Sequence, residues 1–214
     1  MIFQIIGCIF VHLMNLKQRI FDFNRSDIIN FLIKKNKYKK YLEIGCDYNL
    51  NFNRINIDTK VGIDPVRGGT LKMTSDDFFK QNKETFDIIF IDGLHYADQV
   101  YKDIINSIKI LNKNGTIVVH DCNPLSYDAQ FIPQPRWERH WNGNIWKTWL
   151  RFRSEWNDLE MFVVDADEGV GVIKNGKQKT IKKWDISYKE FYQNKKQLLN
   201  LISVENFKRN KKVL

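Results

Sequence analysis

Four short apolar stretches carry an acidic or histidine side chain at or near their C-terminal end: YLEIG (41–45), VGIDP (61–65), FDIIFID (86–92) and GTIVVHD (115–121). Runs this short and this unbroken are predicted as strands covered on both faces, as parallel strands of α/β sheets are. Between the last two, YADQVYKDIINSIKILNKNG places Val100, Ile104, Ile108 and Leu111 on one helical face, and Asn114-Gly115 supplies a stop signal. Strand, helix, strand in that order implies a right-handed crossover. Glu43 with Gly45, Asp64, Asp92, and His120 with Asp121 then fall on one rim of a parallel sheet, where such sheets bind ligands.

The remaining elements follow from the same patterning. TLKM (70–73) is read as a further short strand. LEMFVVDADEGVGVIKNG gives two strands, 159–165 and 169–174, whose turn is too short for a parallel crossover and so predicts a closing antiparallel hairpin. RSDIINFLIKKNKYKK predicts a helix with Ser26 as N-cap and Ile28, Ile29, Leu32 and Ile33 facing inward. Gly93 is assigned to the turn after the 86–92 strand. A chain of 214 residues suits one domain with appendages. We divide it into an N-terminal helical segment (1–37), a central domain (38–175) and a basic helical C-terminal extension (176–214). The stretch near 122–156 is rich in Trp, Arg and Pro and reads as a substrate-facing insertion with a helix near 144–153.

The net charge of +9 resides in the tail, because residues 174–214 hold twelve Lys and Arg against three Asp and Glu. A basic tail can attract nucleic acid, but these lysines alternate with Phe191, Leu198, Leu199 and Ile202, so a solvated helix with a packing face is the favoured reading. Cys8, Cys46 and Cys122 show neither metal-ligand spacing nor a disulfide framework, which fits a reducing cytoplasm. The opening MIFQIIGCIFVHLM is too short to span a bilayer and lacks the marks of a signal peptide; translation from Met1 or from Met14 stays open.

Each strand-end acid could be a turn cap, yet four on one rim point to a ligand. Asp64 lies 19 residues beyond Gly45, where an acid can accept both hydroxyl hydrogens of a ribose. The first turn, EIGCDYNLN, has one glycine and Asp47 nearby, which disfavours a pyrophosphate and favours a cofactor with a ribose, no phosphate and a positive charge.

At YLEIGCDYNLNFNRI, KVGIDP, FDIIFIDGLHYADQVYKDI and GTIVVHDCNP the chain resembles the class I S-adenosylmethionine-dependent methyltransferases. The branch it is most similar to is the bacterial O-methyltransferases related to macrocin O-methyltransferase and cephalosporin-hydroxylase-like proteins, over roughly residues 38–175. The resemblance implies a Rossmann-like, doubly wound, mostly parallel seven-stranded sheet with a C-terminal antiparallel hairpin. It implies that Glu43 and Gly45 border the methionine part of S-adenosylmethionine, that Asp64 holds the ribose, and that Ser75 and Asp76 contact adenine, with helix capping as the alternative for Ser75. Asp47 and Asn49 stand where a second glycine is frequent, and Asn tolerates the left-handed conformation such a turn needs.

Asp92 would serve the cofactor side or, with Asp121, hold a divalent cation such as Mg²⁺. His120 stands where some relatives carry Glu, which weakens the case for a hard ion or shifts it toward a softer metal, and Asn123 is an additional candidate oxygen ligand. His95, one helical turn past Asp92, is the candidate general base, with a loop-fixing histidine as the alternative. Arg136, Arg151 and Arg153 would suit an acidic group on the acceptor, while His140 and His12 read as structural or surface residues. The expected activity is O-methylation of a hydroxyl on a small molecule or sugar. A nucleic-acid methyltransferase and a non-catalytic binding protein are the alternatives; nucleic acid is the disfavoured partner, and homo-oligomerisation stays open.

Overall fold

The computed structural model describes residues 23–209. Cys8, His12, Met1 and Met14 lie outside them. Seven strands form one sheet in the order β2-β1-β3-β4-β6-β5-β7. They are β1 (Lys40–Ile44), β2 (Thr59–Ile63), β3 (Phe86–Ile91), β4 (Leu111–Val119), β5 (Leu159–Val164), β6 (Val170–Asn175) and β7 (Leu201–Ile202). The first four are mutually parallel, and β6 joins β4 and β5 antiparallel. The expected Rossmann-like sheet with its closing hairpin is therefore present.

Alternation along each strand sends side chains to two apolar layers. Leu42, Ile44, Ile89, Ile91, Ile117 and Val119 face α3 (Ala97–Ile110) and α4 (Ile145–Glu155), whose Trp146 and Trp149 are fully buried. Tyr41, Ile88, Phe90 and Val118 pack with Ile28, Ile29 and Leu32 of α1 (Arg25–Asn36) and with Phe207 of α6 (Val204–Arg209). Helices thus cover both faces, which explains the unbroken apolar runs. Among the described residues no helix is long and apolar enough to cross a membrane.

Some local expectations are corrected. Segment 70–73 is not a strand: Thr70 and Leu71 both donate their N–H to the Gly62 carbonyl after a Gly68-Gly69 turn, and Leu71 makes a single bridge to Ile63. The seventh strand is instead β7, from the tail. The helix before β4 stops at Ile110, not at Asn114-Gly115, because Leu111 already has extended backbone and Asn112 is held by Asp87 at 2.7 Å. Gly115 serves close approach, since a Cβ there would lie 2.7 Å from the Asp87 carbonyl oxygen. The tail's helix is present as α5 (Tyr188–Leu198) with Phe191 and Leu199 of its packing face fully inside, and β7 and α6, which buries Phe207, extend the tail beyond that single helix.

The N-cap of α1 is Asn24, not Ser26. Its side chain accepts from the N–H groups of Ser26 and Asp27, and Asp27 reaches back to the Asn24 N–H at 3.0 Å, completing a capping box. Asn24→Ala is expected to destabilise the chain by about 1 kcal/mol in urea unfolding, the usual value of such a cap.

Candidate active site

Register places the predicted ligands together. Ile44 pairs with Ile63 and with Ile91, and Ile91 pairs with Val119. The residues that follow, Gly45, Asp64, Asp92 and His120, therefore leave the sheet at one level. They open into a cavity of about 1010 Å³ that Glu43, Gly45, Asp64, Ser75, Asp76, Asp92, His95, His120 and Asp121 all line.

At one end, Asp64 accepts the N–H of Asp47 at 2.9 Å, of Val66 at 2.8 Å and of Arg67 at 2.9 Å. Burial works to raise its pKa, but these bonds hold it below the usual carboxylate value. Asp47 and Asn49 take the left-handed conformation expected of this turn, at φ 43° and 63°. The N-cap of α2 (Ser75–Gln81) is Thr74, which leaves Ser75 and Asp76 on the cavity wall, where Gln99 Nε2 bonds both at 3.2 and 3.1 Å. Between the two ends, burial pushes Glu43 up to about 7 against hydrogen bonds from Tyr41 and Asn51. The Asn51 Oδ1 atom beside it is buried and has no partner among the described residues.

The other end is an ionic cluster that the strand patterning shows only in part. His95 lies 3.4 Å from Asp92 through Nε2 and 3.3 Å from Asp121 through Nδ1. Its ring stacks on Trp141 at 5.0 Å. Burial would lower the His95 pKa, but Asp92 and Asp121 raise it overall. His120 Nδ1 lies 3.2 Å from Asp121 and 3.3 Å from Asp92, and these carboxylates likewise outweigh burial and raise it well above the ordinary value. Burial pushes Asp92 upward, yet His120, His95 and Arg25 hold it well below the carboxylate range.

Several members of this cluster escape the sequence reading. Arg25, the first residue of α1, places Nη1 2.8 Å from Asp92 and Nε 3.0 Å from Asp167. The 3.0 Å approach of Arg25 Nη1 to His120 Nδ1 is a contact between two donors when His120 is protonated, tolerated because Asp92, Asp121 and Asp167 surround them. Asp167 and Glu168 sit at the β5–β6 turn, both left-handed, and the backbone of Cys122 and Asn123 ties that turn to the end of β4. Burial would raise Asp167, but His120 and Arg25 bring it down to about 2. Asn142 bridges Asp121 at 2.7 Å and Glu168 at 2.6 Å. DADEG, an acid-rich hairpin turn beside β4, was the legible signal for Asp167 and Glu168; nothing in the pattern pointed to Arg25.

The insertion contributes Arg139, His140 and Trp141 to the cavity wall. The arginines expected there do otherwise. Arg153 is buried against the carbonyls of Leu198 and Gln197, Arg151 pairs with Glu155 at 2.9 Å, and Arg136 is not on the wall. His140, read as a surface residue, is exposed but pairs with Glu168 at 2.8 Å on the cavity's edge. The insertion also fixes His95: Asn144 donates its N–H to the His95 carbonyl at 3.2 Å, and its side chain caps the Ala97 N–H at 2.6 Å.

The site suits S-adenosylmethionine and does not suit Mg²⁺. For the former, Gly45 lets the ends of β1 and β3 approach closely at the cavity wall, and Glu43 with the orphaned Asn51 oxygen offers acceptors for a cationic ligand. For the latter, Asp92, His95 and Asp121 do bring ligand atoms within 4.8 Å of one another. Yet Asp92 Oδ2 already accepts from Arg25, Asp121 Oδ1 accepts from Asn142, and the other two oxygens face His95 and His120. The position where a third oxygen would help is the His120 imidazole, and a hard ion prefers oxygen. Asn123 is turned away, its Oδ1 accepting from Lys195 of the tail at 3.2 Å.

Comparison with known proteins agrees with this architecture. Residues 32–122 match a family described as a methyltransferase domain. A search among curated proteins returned no match. A candidate caffeoyl-CoA O-methyltransferase from Staphylococcus aureus superimposes with a TM-score of 0.53 at 18% identity, covering 71% of this chain and 82% of that one. A candidate O-methyltransferase from Klebsiella pneumoniae gives 0.52 at 12% identity, over 71% and 80%. At these identities the likeness is one of fold. Residues 32–122 are thus matched as a methyltransferase domain, carried on a Rossmann-like methyltransferase sheet.

Proposed function

We propose that the chain is an S-adenosylmethionine-dependent O-methyltransferase acting on a hydroxyl of a small molecule or sugar. The observation that carries this reading is the single cavity joining Glu43, Gly45 and Asp64 at one end to His95 and the insertion at the other. The two fold relatives are named for the same kind of transfer. When bound, S-adenosylmethionine supplies an electrophilic methyl group on a sulfonium. Asp64, its carboxylate aimed by three N–H bonds, keeps acceptor capacity on Oδ2 for a ribose hydroxyl, and Ser75 and Asp76 wall the adenine end. Glu43 and Asn51 face the methionine part.

At the acceptor end, Arg139, His140 and Trp141 wall the space beside His95. With the cofactor held by Glu43, Gly45 and Asp64, the methyl group would be supplied to the acceptor oxygen, and His95 would take that oxygen's proton. Asp92 and Asp121 stabilise the imidazolium that results. Alignment within the cavity supplies most of the remaining rate. Calorimetric titration with S-adenosylmethionine tests the first step: saturable binding is expected, and none at millimolar ligand would sink the reading.

Affinity for this cationic ligand should depend on pH through Glu43. Its folded pKa of about 7 means that the ionised form, which attracts the cation, gains population as pH rises from 6 to 8. Binding should tighten by up to about tenfold over that range, the equivalent of one pKa unit of coupling. Tyr41, Asn51, Asp92 and Arg25 are the groups that face Glu43, and of these Asp92 and Arg25 stay charged across the range. Glu43→Gln should flatten the dependence; an unchanged slope would remove Glu43 from the cofactor site.

A further inference from the structure

We propose that the fixed cation at the acceptor end of this cavity is the Arg25 guanidinium, and that methyl transfer here proceeds without a metal ion. The inference rests on the methyltransferase reading for its function, but its structural part stands on geometry alone. Asp92, His95 and Asp121 have the spacing of a metal site. Arg25 already supplies a cation to one member of that group, Asp92. Its Nη1 is 2.8 Å from Asp92 Oδ2, its Nε is 3.0 Å from Asp167, and its own backbone N–H bonds Asp167 at 3.0 Å. The capping box at Asn24 fixes the helix end that delivers it.

A divalent ion on the remaining Asp92 oxygen would sit within a few ångströms of this guanidinium and would have to share that oxygen with His95 at 3.4 Å and His120 at 3.3 Å. On Asp121 it would find Oδ1 already accepting from Asn142 and Oδ2 facing His95. Arg25 itself stays addressable: it lines the cavity, its side chain keeps 33% of its surface exposed, and Nη2 makes no hydrogen bond among the described residues. A guanidinium edge placed there can donate to an acceptor oxygen as negative charge develops on it, which is what a Lewis acid would otherwise do.

The test is metal binding to the full chain, read by calorimetry with Mg²⁺, Mn²⁺ and Zn²⁺ and by the electron paramagnetic resonance of free Mn²⁺. Wild type should show no Mn²⁺ site tighter than millimolar that Asp121→Asn removes. Arg25→Ala should gain at least tenfold in Mn²⁺ affinity, and Asp121→Asn should cancel the gain. Where Arg25→Ala fails to fold, Arg25→Lys and wild type still decide, since both keep a cation beside Asp92 and both should refuse the ion. Methyl transfer by wild type should be unchanged by excess chelator. A submillimolar, Asp121-dependent site in the wild-type chain overturns the proposal, as does chelator-sensitive turnover. S-adenosylmethionine titrated in parallel separates the two readings: absent cofactor binding sinks the methyltransferase assignment, whereas the metal result concerns Arg25 alone.

Discussion

His95→Ala is expected to lower kcat by about 10²–10⁴-fold, the range that loss of a positioned general base produces, while S-adenosylmethionine affinity stays within about twofold of wild type. The separation follows from place: His95 is at the acceptor end, flanked by Asp92 and Asp121, while the Asp64 and Ser75 walls lie across the cavity. The same carboxylates fix the sign of the pH dependence. A base must be neutral to take a proton, and Asp92 and Asp121 outweigh burial to raise the His95 pKa above 6.5. kcat/KM should therefore rise with pH through an apparent pKa above 6.5, and that limb should vanish in the variant.

A loop-fixing histidine would behave otherwise. His95 stacks on Trp141 and its Nδ1 lies 3.1 Å from the Trp141 carbonyl oxygen, so its loss could also loosen the insertion. His95→Gln retains hydrogen-bonding capacity and serves as the control. If glutamine restores more than a tenth of the activity with the pH limb intact, His95 is a positioning residue and the proton goes elsewhere.

The parts of this molecule that were legible in sequence are those set by short-range periodicity. Two-sided burial of Ile88, Ile89, Phe90 and Ile91 marks a parallel strand, and equal register then brings Gly45, Asp64, Asp92 and His120 to one rim without further information. What was not legible depends on contacts distant in sequence. TLKM looks like a strand, but the Gly62 carbonyl captures two successive N–H groups and makes a turn of it. Leu201 and Ile202 look like the end of a helix, but pairing with Val163 and Val164 makes them the sheet's edge. Arg25 reaches Asp92 across 67 residues, and no local pattern announces a side chain that acts so far from its own helix. Arg153 carried the opposite error: a cation suited to an acidic ligand is spent on the carbonyls that end α5.

Gly93 and Gly45 give the sharpest separation between sequence expectation and structure. The turn after β3 was assigned to Gly93, yet Gly93 has no positive φ, and a Cβ there would meet nothing nearer than an Ile44 methyl at 3.4 Å. Gly45 is at φ +87°, and its Cβ would fall 2.2 Å from the Asp92 carbonyl oxygen and 2.5 Å from the Gly93 Cα. Those atoms are backbone and cannot swing aside. They are also held from both neighbours, because the Gly45 N–H donates to Ile63 at 2.9 Å and the Asp92 N–H donates to Ile44 at 2.8 Å. Gly45→Ala should therefore cost about 1–3 kcal/mol for the backbone conformation and about 1–3 kcal/mol more for overpacking, measured by urea unfolding. Relief can come only by spreading β1 from β3 at the rim that carries Glu43 and Asp92, so S-adenosylmethionine binding should fall by about 100-fold or more, near 3 kcal/mol. Gly93→Ala should stay within about 1 kcal/mol of wild type and keep the cofactor. Equal losses in the two variants would mean that the rim yields where the geometry says it is clamped, and the close approach at Gly45 would lose its role in placing the cofactor.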